Sequence, residues 1–508
     1  MCLRRFLLAF ALAAVGATVV AQPKVDLEPR KGEGHVLFKV VSARPVSGLS
    51  HKWKTLVLES KARGWRVELY DLSDPSASGS LFFGRIDEGD YEVVELQSLG
   101  PSGAGLLLAV LFADSQDMRS RIGAVPVRSG ALTNLGTLVV APAAEKDKVP
   151  EIEYLDGPAG HKSAADDFER RTGRTLDLPS QGPERSAEAE RQALARARSL
   201  ISLISWGDDA QGSGLLGGAA LGQIAARTAG GRWQLETLDS LDDVKYVRRL
   251  ADGTLLAGFP QGRYAVRRPG LAWAYFSLPE ADAVVEHIDT TPDGGGLFVV
   301  SNLRRTTVLH RASLDQAGAE ARPLLTLDFP YHLRGNPVLS LEDSLLLVEN
   351  HPGFSRVADL TIIDKQSLQV RTAKVDFWIR SWQRIPSGEI MISRQNAMTF
   401  YTSATSDKGA TWTHGEAAGP TYAHFVDRQL GYGLDVSPGA LSVTVQLMKT
   451  LDGGKTWAPT GAPMTRKAGG RIVYAGADGE VIATSGFEMY STRDDGNTWT
   501  RVVLRGPD

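Results

Sequence analysis

Cysteine is almost missing from this chain. Of 508 residues only Cys2 carries a thiol, and it precedes the apolar stretch that opens the sequence. Beyond that stretch, disulfides, thiolate metal sites and a cysteine nucleophile are excluded together. Charge of one sign is missing too. Fifty-six Lys and Arg stand against 59 Asp and Glu, for a net charge of -3. No bulk field therefore draws the chain to nucleic acid or to an anionic membrane. None of the nine histidines has a partner at metal-ligand spacing, and His-Glu-x-x-His does not occur. Gly212 to Gly222 is glycine-rich but lacks the Gly-Lys-Ser/Thr ending of a phosphate loop, and Gly-x-Ser-x-Gly is absent. We expect no cofactor and no metal.

Long apolar runs are missing except one. Arg4 and Arg5 are followed by Phe6 to Val20, almost wholly apolar, with Val19 and Ala21 as the small residues before a cut. This predicts a signal peptide over residues 1–21, cleaved before Gln22. The run is short for a span and has no basic stop-transfer flank, so no stable membrane span is expected after cleavage. The expected destination is the periplasm or the cell exterior.

What the chain has is glycine, 53 residues of it, and many short alternating runs. His35–Val41, Trp65–Tyr70 and Tyr91–Leu96 alternate with period two and are separated by turn residues. They predict a β-sandwich over 22–141, with Val125 to Leu138 as its closing hairpin. The segment Phe83 to Val93, with Gly89-Asp-Tyr91-Glu-Val93, resembles the Gly-x-Tyr-x-Val strand of prealbumin-like and Cna-B-like sandwiches. Residues 142–204 read as a linker, with a short helix around Ala164 to Arg171 and a solvated helix over Pro183 to Ile204.

Residues 205–508 carry a repeat. Thr405-Ser-Asp407-Lys-Gly409-Ala-Thr411-Trp412, Thr450-Leu-Asp452-Gly-Gly454-Lys-Thr456-Trp457 and Thr492-Arg-Asp494-Asp-Gly496-Asn-Thr498-Trp499 share the form [ST]-x-D-x-G-x-T-W. Their Asp residues are 45 and 42 positions apart, which is the length of one four-stranded propeller blade. Degenerate copies keep Gly230 with Trp233 and Gly270 with Trp273. A second motif, an apolar strand and a Gly/Asp turn, recurs at Asp252-Gly253, Asp293-Gly294, Asp343, Ser387-Gly388 and Asp478-Gly479. It predicts hairpins between inner strands. Two further blades carry plain turns, near Asp315 and at Asp364 to Leu368. The count is seven blades, with six as the alternative, in an all-β chain.

Each box residue has a scaffold role. The Asp accepts hydrogen bonds from its own turn, the Gly supplies positive φ, and the Thr hydroxyl closes the loop. The Trp wedges between sheets. Five of the ten tryptophans occupy this position. The motif resembles the Asp-box (BNR) propellers, among them sialidases, the sortilin luminal domain and photosystem assembly-factor-like propellers. In that family the boxes lie at the rim, so the resemblance implies that Asp407, Asp452 and Asp494 are structural.

Two functions follow. The first is a non-catalytic binding or scaffold protein whose propeller holds a protein or glycan, with no nucleic-acid partner. The alternative is a glycosidase of sialidase type. The sialidase resemblance implies an arginine cluster with a tyrosine nucleophile, and Arg384-Ile385-Pro386 resembles the motif of its first arginine. Arg249, Arg334 and Arg380, with Tyr422 or Tyr432, are further candidates. Against this, Ile385-Pro386-Ser387-Gly388 matches the inner-strand turn of the other blades and falls in the fifth of them.

Overall fold

The computed structural model describes residues 25–28, 30–42, 53–72, 74, 77–97, 115–141, 151–178, 180–181, 186–199, 203–208, 215–228, 230–302, 304–316, 320–328, 338–351, 357–396, 399–438, 443–466, 470–485, 488–502 and 504. The expected signal peptide and Arg334 lie outside these residues.

Among the described residues the N-terminal domain has ten strands: β1 (Glu33–Ser42), β2 (Thr55–Ser60), β3 (Arg66–Tyr70), β4 (Ser80–Asp87), β5 (Gly89–Gln97), β6 (Ser115–Asp117), β7 (Ala124–Val127), β8 (Leu132–Ala141), β9 (Glu151–Leu155) and β10 (Ser180–Gln181). They form two five-stranded sheets. In one, β1 lies antiparallel to β4 and parallel to β8, whose other edge takes β9 and β10. In the other, β2 lies between β3 and β5, and β5 also pairs with β6 and β7. The alternation of β1 sorts its neighbours. Val36, Phe38 and Val40 enter the core shared by both sheets, with Leu58, Phe82 and Tyr91. Leu37 and Val41, on the opposite side, pack against helices and the second domain.

Three expectations need correction. Val125 to Leu138 is not a hairpin, because β7 pairs with β5 in one sheet while β8 pairs with β1 in the other. Residues 151–181 are not linker. They add β9, β10 and helix α1 (Pro158–Thr172) to the first domain. The next helix, α2, spans Ala187–Ser199, shorter than expected, and Leu203 already begins a strand. Nor is α2 simply solvated: Ala193 and Ala197 are fully buried against Val41, Leu155, Leu221 and Leu241. The α1 N-terminus, at Gly157-Pro158, has no side-chain cap of its own. Glu190 of α2 supplies one, accepting from the amides of Gly157 (3.1 Å), Ala159 (3.0 Å) and Gly160 (2.7 Å). A carboxylate there also suits the helix dipole.

From Leu203 onward, the described residues form seven four-stranded antiparallel sheets in chain order, within 203–237, 246–277, 284–327, 338–375, 378–414, 423–466 and 470–502. In each sheet the strands pair in sequence order, first to fourth. Successive sheets share cores: first with second, second with third, fourth with fifth, sixth with seventh. The ring meets itself where Arg227 of the first sheet forms a buried ion pair with Glu480 of the seventh and lies over the Tyr474 ring at 4.7 Å. This is the architecture of a β-propeller. Among the described residues no helix is long and apolar enough to cross a membrane.

An antiparallel meander puts the turns after first and third strands at one end of a sheet and the turn after the second strand at the other. The first end forms the box side of the disc. There Lys408, in the box turn of the fifth sheet, reaches Asp343, in the first turn of the fourth, at 2.6 Å. The N-terminal domain sits on the other side, over the first two sheets.

Candidate functional site

The three boxes superimpose bond for bond. Thr405, Thr450 and Thr492 each donate their hydroxyl to the box Asp at 2.8 Å. Each also accepts the glycine amide, at 2.9, 2.9 and 3.0 Å. One Asp oxygen takes the amide of Thr411, Thr456 or Thr498 at 2.8, 2.8 and 2.9 Å. The other takes that residue's hydroxyl at 2.6, 2.6 and 2.7 Å. These hydrogen bonds hold each Asp carboxyl down to about 2. Gly409, Gly454 and Gly496 have φ of +87°, +83° and +88°. Three of the four lone-pair positions of each carboxylate are thus taken by its own loop, which fits a turn lock.

Each tryptophan leans on the preceding sheet. Trp412 joins the core of the fourth and fifth sheets and meets the Phe377 ring edge-on at 5.4 Å. Trp457 packs with Ile385, Met391 and Phe425. Trp499 packs with Leu434, Leu447 and Ile472. At the degenerate copies, Thr228 and Arg268 stand where the Asp would be. Positive φ falls on Gly231, not on Gly230, and at Gly270 it is +75°. Trp273 packs between the first and second sheets, and its Nε1 donates to Glu236 at 2.7 Å.

Beside Trp273 the box side is open. A cavity of about 610 Å³ runs along the whole outer strand of the first sheet, Trp233 to Thr237. Its far wall is Arg249, Leu255 and Arg267 of the second sheet, and Ile224 and Ala226 form the floor. Arg267 pairs with Glu236 at 2.9 Å and lies over the Trp273 ring at 5.5 Å. Trp233 and Arg249 are half-buried. The sequence marked Trp233 as a wedge. It did not show the groove, which needs two strands of the first sheet and three of the second.

The described candidates for a sialidase centre come from the second, fifth and sixth sheets and the segment before the sixth. Arg384 is exposed at the end of the first strand of the fifth sheet, immediately before its inner turn. Arg380 lies four residues earlier on that strand, with its guanidinium over Trp378 at 4.9 Å. Arg249 is in the groove wall of the second sheet. Tyr432 is buried and its hydroxyl donates to Asp495 at 3.3 Å, whereas Tyr422 is exposed. No contact described among these residues brings them together. Sequence reasoning also passed over Glu286, which sits on a bulge of the first strand of the third sheet, between Val285 and His287. Burial pushes its carboxyl up to about 7, although Ser301 donates to it at 2.9 Å. The bulge comes from pairing with the second strand, so no local signal announces it.

The two domains are locked by buried charge. Asp167 of α1 takes both Nε (3.0 Å) and Nη2 (2.9 Å) of Arg171, and the amide of Gln261 in the second sheet (3.0 Å). Lys39 of β1 is wholly buried between Asp167 (3.5 Å) and Asp242 (3.2 Å), which lies between the first two sheets. Arg170 and Arg263 also bind Asp242. Burial alone would raise both carboxyls, but these cations hold them well below the usual range.

No protein-family model matches this chain, and no curated protein matches it in sequence. Solved structures resemble it in fold. YCF48 bound to D1 peptide is 13% identical, with a TM-score of 0.37 over 56% of this chain and 91% of that one. BamB from Moraxella catarrhalis is 10% identical, with a TM-score of 0.33 over 58% of this chain and 84% of that one. Puromycin hydrolase is 14% identical, with a TM-score of 0.40 over 60% of this chain and 54% of that one. These are β-propeller proteins, and the likeness does not extend to a function.

Proposed function

We propose that this chain is an exported, non-catalytic binding protein: an Asp-box (BNR-type) propeller, carrying a prealbumin-like or Cna-B-like sandwich, that holds a protein or glycan partner. The observation that carries the reading is the groove between the first two sheets. Its volume of about 610 Å³ suits a few residues of peptide or a short oligosaccharide. Trp233 offers a ring to stack on, Arg249 and Gln234 offer polar contacts, and Leu255 and Ile224 exclude water. The buried clamp beneath it supports the reading, because a fixed platform loses little freedom on binding.

The test is to probe the full chain, freed of its first 21 residues, against peptide and glycan arrays. Ligands found there are then titrated against Trp233→Ala and Arg249→Ala. The expected outcome is at least one ligand whose affinity falls about tenfold in Trp233→Ala, as for a central aromatic anchor. Ligands that bind both variants as they bind the parent would place recognition elsewhere.

A further inference from the structure

The fourth sheet carries a cluster away from the groove, on the opposite side of the disc. Its second strand, Ser344–Asn350, is followed by His351, and its third strand, Ala358–Asp364, has Asp359 as its second residue. The ladder pairs Glu349 directly with Asp359, so two carboxylates share one side of the sheet. His351 is two residues beyond Glu349 and points the same way. Two carboxylates directly opposed on neighbouring strands repel each other, and His351 stands beside both.

One ligand atom from each of Glu349, His351 and Asp359 lies within 4.8 Å of the others. His351 Nε2 is 2.9 Å from Asp359 Oδ2, and its Nδ1 is 4.0 Å from Glu349 Oε1. A second feature is independent of this spacing. The inner oxygen of Asp359, Oδ1, is closed off from solvent and has no hydrogen-bond partner among the described residues. A buried carboxylate oxygen without a donor marks the place of an ion or a water. Lys374 pairs opposite Asp359 on the outer strand, but its side chain is exposed and makes no ion pair with Asp359 among the described residues. The main chain of His351 is pinned: its amide donates to Val357 at 3.1 Å, and its carbonyl accepts Trp378 Nε1 at 2.9 Å.

We propose that Glu349, His351 and Asp359 form a binding site for a zinc-class divalent cation. One imidazole nitrogen with two carboxylate oxygens suits a borderline metal, whereas calcium and magnesium sites are built from oxygen. Ligand atoms around a tetrahedral zinc at ~2.1 Å stand about 3.4 Å apart, so modest side-chain rotation closes the set. Solvent supplies the fourth position, since His351 is about one-third exposed, at 36%.

The experiment is calorimetric titration of the chelator-treated full chain with zinc chloride, and separately with calcium and magnesium chloride. One equivalent of zinc should bind, and neither of the other cations should match its affinity. His351→Ala, Glu349→Gln and Asp359→Asn should each weaken zinc by about tenfold to a hundredfold, at least the loss seen for outer-shell partners. Cobalt should give tetrahedral visible bands that His351→Ala removes. If His351→Ala does not fold, the two near-isosteric carboxamide variants carry the test. Absence of zinc binding would mean that His351 and the two carboxylates meet only through their own contacts, and would overturn the proposal. Variants that bind zinc like the parent, or calcium bound as tightly, would overturn it equally.

Discussion

The last three sheets of the propeller and the first two close the same outer hairpin by different means. In the fifth, sixth and seventh sheets eight consecutive residues make every bond that the turn needs, with distances that repeat to within 0.1 Å. In the first two sheets the Asp is gone and long-range pairs take its place. Arg268 reaches Asp315 in the third sheet at 2.6 Å, Arg267 reaches Glu236 at 2.9 Å, and Arg227 closes onto the seventh sheet. Beneath them lies the clamp of Lys39, Asp167 and Asp242. A local lock can be repeated wherever its eight residues are repeated. A tertiary lock depends on its one location, and here it coincides with the open groove and the attached domain.

The largest expected effect breaks the tertiary lock. Asp167→Ala leaves Arg171, with its side chain 2% exposed, short of its closest counter-charge, and leaves the fully buried Lys39 with Asp242 alone. Removing one partner of such a group costs about 3–5 kcal/mol. Chemical unfolding of the full chain should show that loss. A change below about 1 kcal/mol, the scale of an exposed pair, would mean that the clamp is replaceable.

A smaller effect compares two glycines. Both Gly454 and Gly270 hold positive φ, +83° and +75°. At Gly270 an added Cβ meets nothing within 4 Å, whereas at Gly454 it comes to 2.4 Å from Oγ1 and 2.7 Å from Cβ of the buried Thr402. Gly270→Ala should cost about 1 kcal/mol for the backbone alone, and Gly454→Ala about 2–4 kcal/mol with crowding added. Equal losses in thermal unfolding would erase the distinction between an intact box and a degenerate one.

The smallest effect is in pH. The box carboxyls sit at about 2 when folded, below the ordinary value of about 3.9. Their deprotonated form is therefore favoured by folding. The stabilisation is complete above the unfolded value and is lost as pH falls through about 2. Replacing Asp407, Asp452 and Asp494 together by Asn should flatten the fall of the unfolding midpoint across that acid range. An unchanged slope would mean that the turns close without their carboxylates.

Much of the propeller could be read in sequence because its signals are local. Asp, Gly, Thr and Trp at fixed offsets describe one hairpin, and the recurrence of that hairpin describes a ring. The linker reading failed for the opposite reason. Glu151 to Leu155 is a strand only because β8 offers an open edge, and α2 is buried only because Ala193 and Ala197 meet Leu221 and Leu241. The cluster of Glu349, His351 and Asp359 leaves no mark in the sequence, because Asp359 meets the other two only across a ladder.

The sequence by itself determined the box turns, the inner-strand hairpins and the all-β class. Each rests on side chains within about eight residues of one another, where chain connectivity guarantees the meeting. Only tertiary structure decided which side of the disc the first domain covers and where the groove opens. It also decided which acidic groups are neutralised: Asp242 by Lys39, Asp289 by Arg248 and Lys365. Those outcomes depend on charges brought out of water by segments up to two hundred residues apart. Burial raises the cost of leaving any one of them without a partner, so they are settled only once the whole ring is assembled.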